Sequence, residues 1–343
     1  MSKKNKTPLE IFIESVGLYF SNINKFIKYM TFPVLGQIIG LGLVLLFSYL
    51  YAKIMSNLVQ TIPALNNFKI LLGIAILIII PGLAIFIKAF WEYLIAYGAI
   101  NSMLENMLKS GKVYDFDAHT ELIKRRTFSF VGLWALFGIF SLISTIPFFS
   151  IICAIFTIYF VLIFQVFTYE PEQTPIGCAK RSFELIKGHF LSTFILFALI
   201  GALTYVFIPQ LINKFCEYLQ ITNIFANLIQ PFIQELPINE LNSTLSYLHL
   251  PKLETRQIAF FAIATLITQI FIQYTLPLRS ILWSMWYKQL NDGKLGTDYK
   301  ETKTTRKKST KPSEKLMQAS KKKYSSKKLD RNILRRAMEK NED

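Results

Sequence analysis

Between Ile70 and Ile87 the chain runs for eighteen residues without a polar side chain. As a helix rising about 1.5 Å per residue, such a run covers most of the roughly 30 Å hydrocarbon core of a bilayer. Comparable runs recur, and the pattern predicts six spans near residues 31–51, 70–104, 127–145, 150–169, 190–213 and 258–277. Pro81-Gly82 predicts a kink in the second span, which is too long for one upright helix and is expected to be tilted or broken. Only residues 146–149, with Pro147 at the turn, separate the third and fourth spans, a tight helical hairpin. The fifth is expected to bend near Pro209, and in the connection 214–257 short apolar pieces are broken by Pro231, Pro237 and Pro251. After the sixth, Trp283, Trp286 and Tyr287 read as an aromatic belt at the membrane surface.

Two stretches carry a helical stripe instead of a uniformly apolar surface. Thr7-Pro8-Leu9-Glu10 supplies a capping residue, a first-turn proline and the acid of a capping box. From there Leu9, Phe12, Ile13, Val16, Phe20, Ile23, Phe26, Ile27 and Met30 recur at helical spacing. Glu14, Asn22, Asn24, Lys25 and Lys28 lie mostly on the other side. The pattern fits a helix in the membrane interface and equally one packed on the end of the bundle. Residues 170–189 form the second such element, with an expected stripe of Ile176, Ala179, Phe183 and Ile186 opposite Lys180, Arg181, Glu184 and Lys187. Phe26-Ile27-Lys28, Leu122-Ile123-Lys124 and Leu185-Ile186-Lys187 each precede an outward-going span. They suggest three copies of a short helix followed by two spans, although matches this brief also arise by chance.

Composition agrees with a membrane host. Of 343 residues 52% are hydrophobic and 17% charged, with 30 Phe and 16 Tyr. Charge then sets an orientation. Lysines 3, 4, 6, 25 and 28, the basic residues 109, 112, 124, 125 and 126, and 180, 181 and 187 all fall on alternate connections, the same side as the tail. The positive-inside bias therefore predicts both termini in the cytoplasm. From Lys288 onward there are eighteen Lys and Arg against eight Asp and Glu, which is ten of the sixteen net positive charges. No cleavable leader is expected, since Lys3, Lys4 and Lys6 precede no apolar core with a small-residue cleavage site. The expected organisation is an N-terminal interfacial helix (1–30), a six-span membrane domain (31–290) and a basic, disordered cytoplasmic tail (291–343). In fold class this is an all-α, polytopic transmembrane helix bundle.

Candidate chemistry is sparse. Lys88 and Glu92 stand one turn apart in the second span, an intramembrane ionisable pair of the kind that marks functional sites, or a snorkelling lysine with its partner. Thr265, Gln269 and Gln273 form a polar stripe on the sixth span that Gln165 and Gln37 are placed to face, as a cavity lining or as helix-to-helix bonding. Asp115, Asp117, His119 and Glu121 share a face only in an extended segment, so no metal is assigned; nor is any catalytic residue or cofactor. Cys153, Cys178 and Cys216 show no paired spacing. Asn242-Ser243-Thr244 is an acceptor sequon of use only in a eukaryotic secretory route. Lys180, Arg181, Lys187, Lys321, Lys322, Lys323, Lys327 and Lys328 are candidate contacts for anionic lipid head groups, at about 1 kcal/mol per basic residue near the surface. The tail also admits RNA or ribosome contact by phosphate neutralisation, or no partner at all.

The segment from Pro175 through Gly177, Ala179, Ser182-Phe183, Leu185, Lys187-Gly188 and Phe190 resembles the entry to the fifth span in a group of bacterial six-span membrane proteins. That group includes the membrane domain fused to some glycerophosphodiester phosphodiesterases. The resemblance implies a membrane module in the bacterial inner membrane. It gives no ground for phosphodiesterase activity, since the acidic and histidine residues of that chemistry have no counterpart here. The expected function is a non-enzymatic inner-membrane protein supporting envelope organisation or lipid processes, with lipid and membrane-protein partners. The alternatives are a transporter of a small or amphiphilic solute and an insertase-like factor whose tail meets the ribosome.

Overall fold

The computed structural model describes residues 6–62, 67–111, 113, 116–234, 238–249 and 251–305. Among them every regular element is helical: α1 (Pro8–Ser21), α2 (Ile23–Thr61), α3 (Phe68–Ser110), α4 (Phe116–Lys124), α5 (Thr127–Ser144), α6 (Pro147–Phe160), α7 (Ile163–Tyr169), α8 (Pro175–Ile186), α9 (Phe190–Gly201), a π-helical turn (Ala202–Phe207), α10 (Ile208–Tyr218), α11 (Ile221–Gln234), α12 (Ile238–Tyr247), α13 (Thr255–Tyr274) and α14 (Leu276–Thr305). Six helical stretches are long and apolar enough to cross a membrane: Ile23–Thr61, Phe68–Leu104, Thr127–Ser144, Pro147–Tyr169, Phe190–Tyr218 and Thr255–Asp292. These are the six the apolar pattern predicts, and the all-α bundle stands. The short helices α1, α4 and α8 each come directly before one of them.

The chain divides into two compact units, one of Met1–Lys25, Leu94–Phe194 and Ser280–Asp343, the other of Phe26–Tyr93 and Ile195–Arg279. In the first, the expected capping box forms: Thr7 Oγ1 accepts from the Glu10 N–H, and the Glu10 carboxylate accepts from the Thr7 N–H. The helix it starts ends at Ser21, earlier than the unbroken stripe through Met30 suggests. Asn22 is the cause. Its Nδ2 donates to the carbonyls of Leu18 and Gly111, and its Oδ1 accepts from the Val113 N–H. Lys25 Nζ donates to the Val113 carbonyl, which ties the turn to the loop after α3. Ile11, Ser15 and Tyr19 are the buried face of α1, and Ser15 Oγ donates to Met285 Sδ at 3.3 Å. On α8 the buried face is Cys178, Ser182, Leu185 and Ile186, rotated from the expected stripe; Ile176 is exposed. Phe183 instead stacks on Tyr159, ring centroids 4.6 Å apart.

Trp283, Trp286 and Tyr287 are not a surface belt. All three are buried in this first unit. Two of the polar tips that would seek the interface find protein partners: Trp286 Nε1 donates to Thr193 Oγ1 at 3.0 Å and the Tyr287 hydroxyl to Glu170 at 2.9 Å. The helix α14 also continues to Thr305, beyond Leu290, where the polar composition predicts order to end. Of the three short repeats, Ile123 and Ile186 are buried but Ile27 is exposed while its neighbour Phe26 is buried, so the match does not carry one structural role.

In the second unit α2 and α3 pack through glycine. An added Cβ on Gly40 would lie 2.5 Å from the Phe86 backbone N and 2.8 Å from the Gly82 carbonyl; on Gly36 it would lie 2.7 Å from Ala89 Cβ. Pro81 does not break α3, which is continuous over 43 residues, about 65 Å at 1.5 Å per residue. Its residues to Tyr93 belong to this unit and those from Leu94 to the other. The bend expected at Pro209 takes the form of the π-helical turn directly before it. Widening that turn accommodates a residue with no N–H and a ring that crowds the preceding carbonyls. Pro231 likewise lies inside α11 without ending it. There α11 packs on α13 through Ala226, Ile233, Ala259 and Ile263. The Asn242 amide closes the following loop, donating to the Leu253 carbonyl and accepting the Leu253 N–H.

Candidate functional site

In the first unit a polar cluster is sealed inside the bundle. Asn101 on α3 is fully buried, and its Oδ1 accepts from Ser280 and Ser284 on α14 and from Gln165 Nε2 on α7 at 3.2 Å. Gln165 also reaches the Tyr97 hydroxyl at 3.4 Å, and Tyr169 donates to the Asn101 carbonyl. Asn101 Nδ2 and Gln165 Oε1 have no partner among the described residues. A polar group placed in an apolar interior costs free energy unless bonded, so this knot locks three helices in one register.

A second knot, nearer the surface, centres on Glu170. Its Oε1 accepts from Arg181 Nε at 3.0 Å and from the Tyr287 hydroxyl; Arg181 also donates to Asn291 Oδ1. Tyr169 stacks on Tyr287 with centroids 5.1 Å apart, and Lys288 lies over the Tyr169 ring. Arg181, a candidate lipid contact in the sequence, is thus held by protein groups on one side, with Glu184 Oε2 3.9 Å from its Nη1. Lys180 on α8 and Lys187 at its C-cap are exposed. Lys321, Lys322, Lys323, Lys327 and Lys328 lie outside the described residues. Arg126, between α4 and α5, sits over the Phe167 ring at 3.9 Å and donates to the Phe167 carbonyl; burial works to lower its pKa, and these contacts favour the charge.

The intramembrane candidates are dispersed. No ion pair joins Lys88 to Glu92 among the described residues; Lys88 is exposed, with its ammonium 5.4 Å from the Phe32 ring centre. Gln273 is met by Gln37, whose Nε2 donates to its Oε1 at 3.3 Å, as the stripe suggests. Gln165 instead spends its donor on Asn101 and Tyr97, and Gln269 and Thr265 are exposed. The bonded polar face of α13 is one residue further round at Thr268, which accepts from Asn213 Nδ2 at 2.7 Å. His119 is buried with Nδ1 2.6 Å from Ser102 Oγ, while Asp117 and Glu121 are exposed and Asp115 lies outside the described residues.

Sequence reasoning passes over Arg279. It belongs to the second unit and lies within the Thr255–Asp292 stretch, where its guanidinium donates to the Tyr205 hydroxyl and, through Nη2, to the Ile272 carbonyl at 3.1 Å. A lone arginine beside an apolar run is the available signal. It is easily missed because it follows Pro277, where the apolar pattern of the sixth span closes.

All three cysteines are buried free thiols. Burial pushes the Cys178 thiol up to about 11, so the folded chain keeps a proton that an unfolded one loses. Below the ordinary thiol value of 9.0 this has no effect on stability; between there and about 11, rising pH favours unfolding. Maleimide at about pH 7.5, where only thiolate reacts, should therefore label Cys178 only after denaturation. Labelling of the folded protein at the rate of a free thiol would contradict its placement.

The fold and its apolar surface define an integral membrane protein of the polytopic α-helical class. No family model, curated protein or solved structure matches the chain.

Proposed function

We propose that this is a non-enzymatic protein of a bacterial inner membrane, with both termini cytoplasmic, that supports lipid-related or envelope processes through its short helices and basic tail. The observation that carries the reading is the second face of α1. With Ile11, Ser15 and Tyr19 already buried, Leu9, Ile13 and Phe20 on the opposite side are 56%, 61% and 56% exposed. A helix that has satisfied its packing and still presents a row of large apolar side chains has the form of one lying in a bilayer interface. The α8 surface supports the same reading, since exposed Ile176 stands one turn from exposed Lys180, with exposed Lys187 at the helix end, a combination suited to anionic head groups. The placement of the termini rests on the basic residues of alternate connections, and the bacterial setting on the resemblance of the α8 segment.

Single tryptophans at Phe20 and at Tyr19 test this in reconstituted protein with brominated lipids. Phe20→Trp should be quenched strongly and Tyr19→Trp weakly. Equal, weak quenching at both positions would remove α1 from the interface and the reading with it.

A further inference from the structure

We propose that Arg279, with Tyr205 and Tyr93, forms a binding site for the phosphate of an anionic phospholipid on the membrane-facing surface of the second unit. This site shares no residue with the α1 and α8 surfaces and does not depend on them.

The argument begins with an imbalance of charge. Arginine does not give up its proton, and a cation inside a membrane span needs an anion or a dense set of acceptors. No carboxylate forms an ion pair with Arg279 among the described residues, although Glu92 stands directly beside Tyr93 in α3. What it has is neutral: the Tyr205 hydroxyl and the Ile272 carbonyl, with the Tyr205 ring 5.1 Å from the guanidinium carbon and Tyr93 close by. A guanidinium carries five N–H donors. Two acceptors leave donors over, and Nε is one of them, buried with no partner among the described residues.

The backbone around it is equally uncommon. Tyr205 sits in the π-helical turn Ala202–Phe207, a local widening of the kind often found at functional sites. That turn is where the cation opens outward: Tyr205 is 51% exposed, with Val206 at 45% and Phe207 at 64%. A ligand arriving there meets spare charged donors next to bare apolar surface. A phosphate diester with acyl chains matches both halves, since the phosphate takes charge-assisted bonds from the half-buried guanidinium and the chains lie along Val206 and Phe207. A free inorganic anion would match only the first half and would have to enter the span without a hydrophobic anchor. The neighbouring polar pair, Gln37 and Gln273, is already self-bonded and adds no competing charge.

The test uses the full-length protein in a neutral detergent, titrated with phosphatidylglycerol or phosphatidylcholine and read by native mass spectrometry. Wild type should retain phosphatidylglycerol about tenfold more tightly than Arg279→Gln, the effect of one strong charge-assisted contact. Phosphatidylcholine retention should change much less. Arg279→Lys, which keeps the charge and loses the fork, should fall between, and it carries the comparison if the glutamine variant melts at a lower temperature. The double variant Lys180→Gln/Lys187→Gln should keep the Arg279-dependent component, which separates this site from the α8 surface. Equal retention by wild type and both Arg279 variants would overturn the proposal. So would displacement of the lipid by inorganic phosphate at matched concentration, which would mark a site for a free anion.

Discussion

Gly40→Leu should separate α2 from α3 and lower the thermal stability of the protein in detergent by the largest margin of any single substitution in this helix pair. Even Gly40→Ala should cost about 1–3 kcal/mol, the usual range for overpacking, because the new methyl would fall on backbone atoms that cannot rotate aside. The contacts are 2.5 Å to the Phe86 N and 2.8 Å to the Gly82 carbonyl. Gly82 is reciprocal, since its own Cβ would lie 2.8 Å from the Val44 N. Gly42 provides the control. Nothing lies within 4 Å of a Cβ there, so Gly42→Ala should be neutral or stabilising by up to about 1 kcal/mol through helix propensity. Melting curves that rank Gly40→Ala with Gly42→Ala would refute the close crossing. Helices meet this way in membranes because lipid tails offer as much apolar contact as a neighbouring leucine, so backbone proximity has to supply the preference.

Asn101→Leu should be the most damaging change in the first unit, by about 1–3 kcal/mol, since removing one member of a buried network strands the others. Gln165 would keep only its 3.4 Å approach to Tyr97, and it is fully buried. The Ser280 and Ser284 hydroxyls would lose the same acceptor, although each can turn back to a carbonyl of its own helix. Adding Gln165→Leu should recover part of the loss, because two apolar neighbours need no partners. The double variant should therefore be more stable than the sum of the single effects implies. Strict additivity in a thermal-unfolding cycle would show that the two amides are not coupled.

Much of the architecture was legible because a bilayer imposes a coarse rule. Any stretch that crosses it must be apolar for about twenty residues, and six such stretches can be counted without knowing what they touch. The Thr7–Glu10 cap and the Thr174-Pro175 start of α8 were equally readable, since a cap is settled by residues three apart. The sites were harder. Gln37 meeting Gln273 was within reach of a stripe argument, but Gln165 went to Asn101, a residue with no periodic partner to announce it. The Gly36-x3-Gly40 spacing was present to be read, yet glycine is common in apolar runs and the spacing acquires meaning only where another backbone approaches. Arg181 shows the same limit: on a helical wheel it is one more outward cation beside Lys180, while in the fold it also bonds Glu170 and Asn291.

Sequence by itself determined that the chain is a six-span helical membrane protein, because hydropathy and local caps act over neighbouring residues and one solvent. Only tertiary structure decided which polar side chains are bonded inside, that Trp283, Trp286 and Tyr287 are core and not belt, and that α1 has two apolar faces with different fates. Those outcomes depend on which helices lie side by side. Each polar atom in a low-dielectric interior goes wherever the fold supplies a partner, and that partner is as often 179 positions away, as Ser280 is from Asn101, as one turn along the same helix.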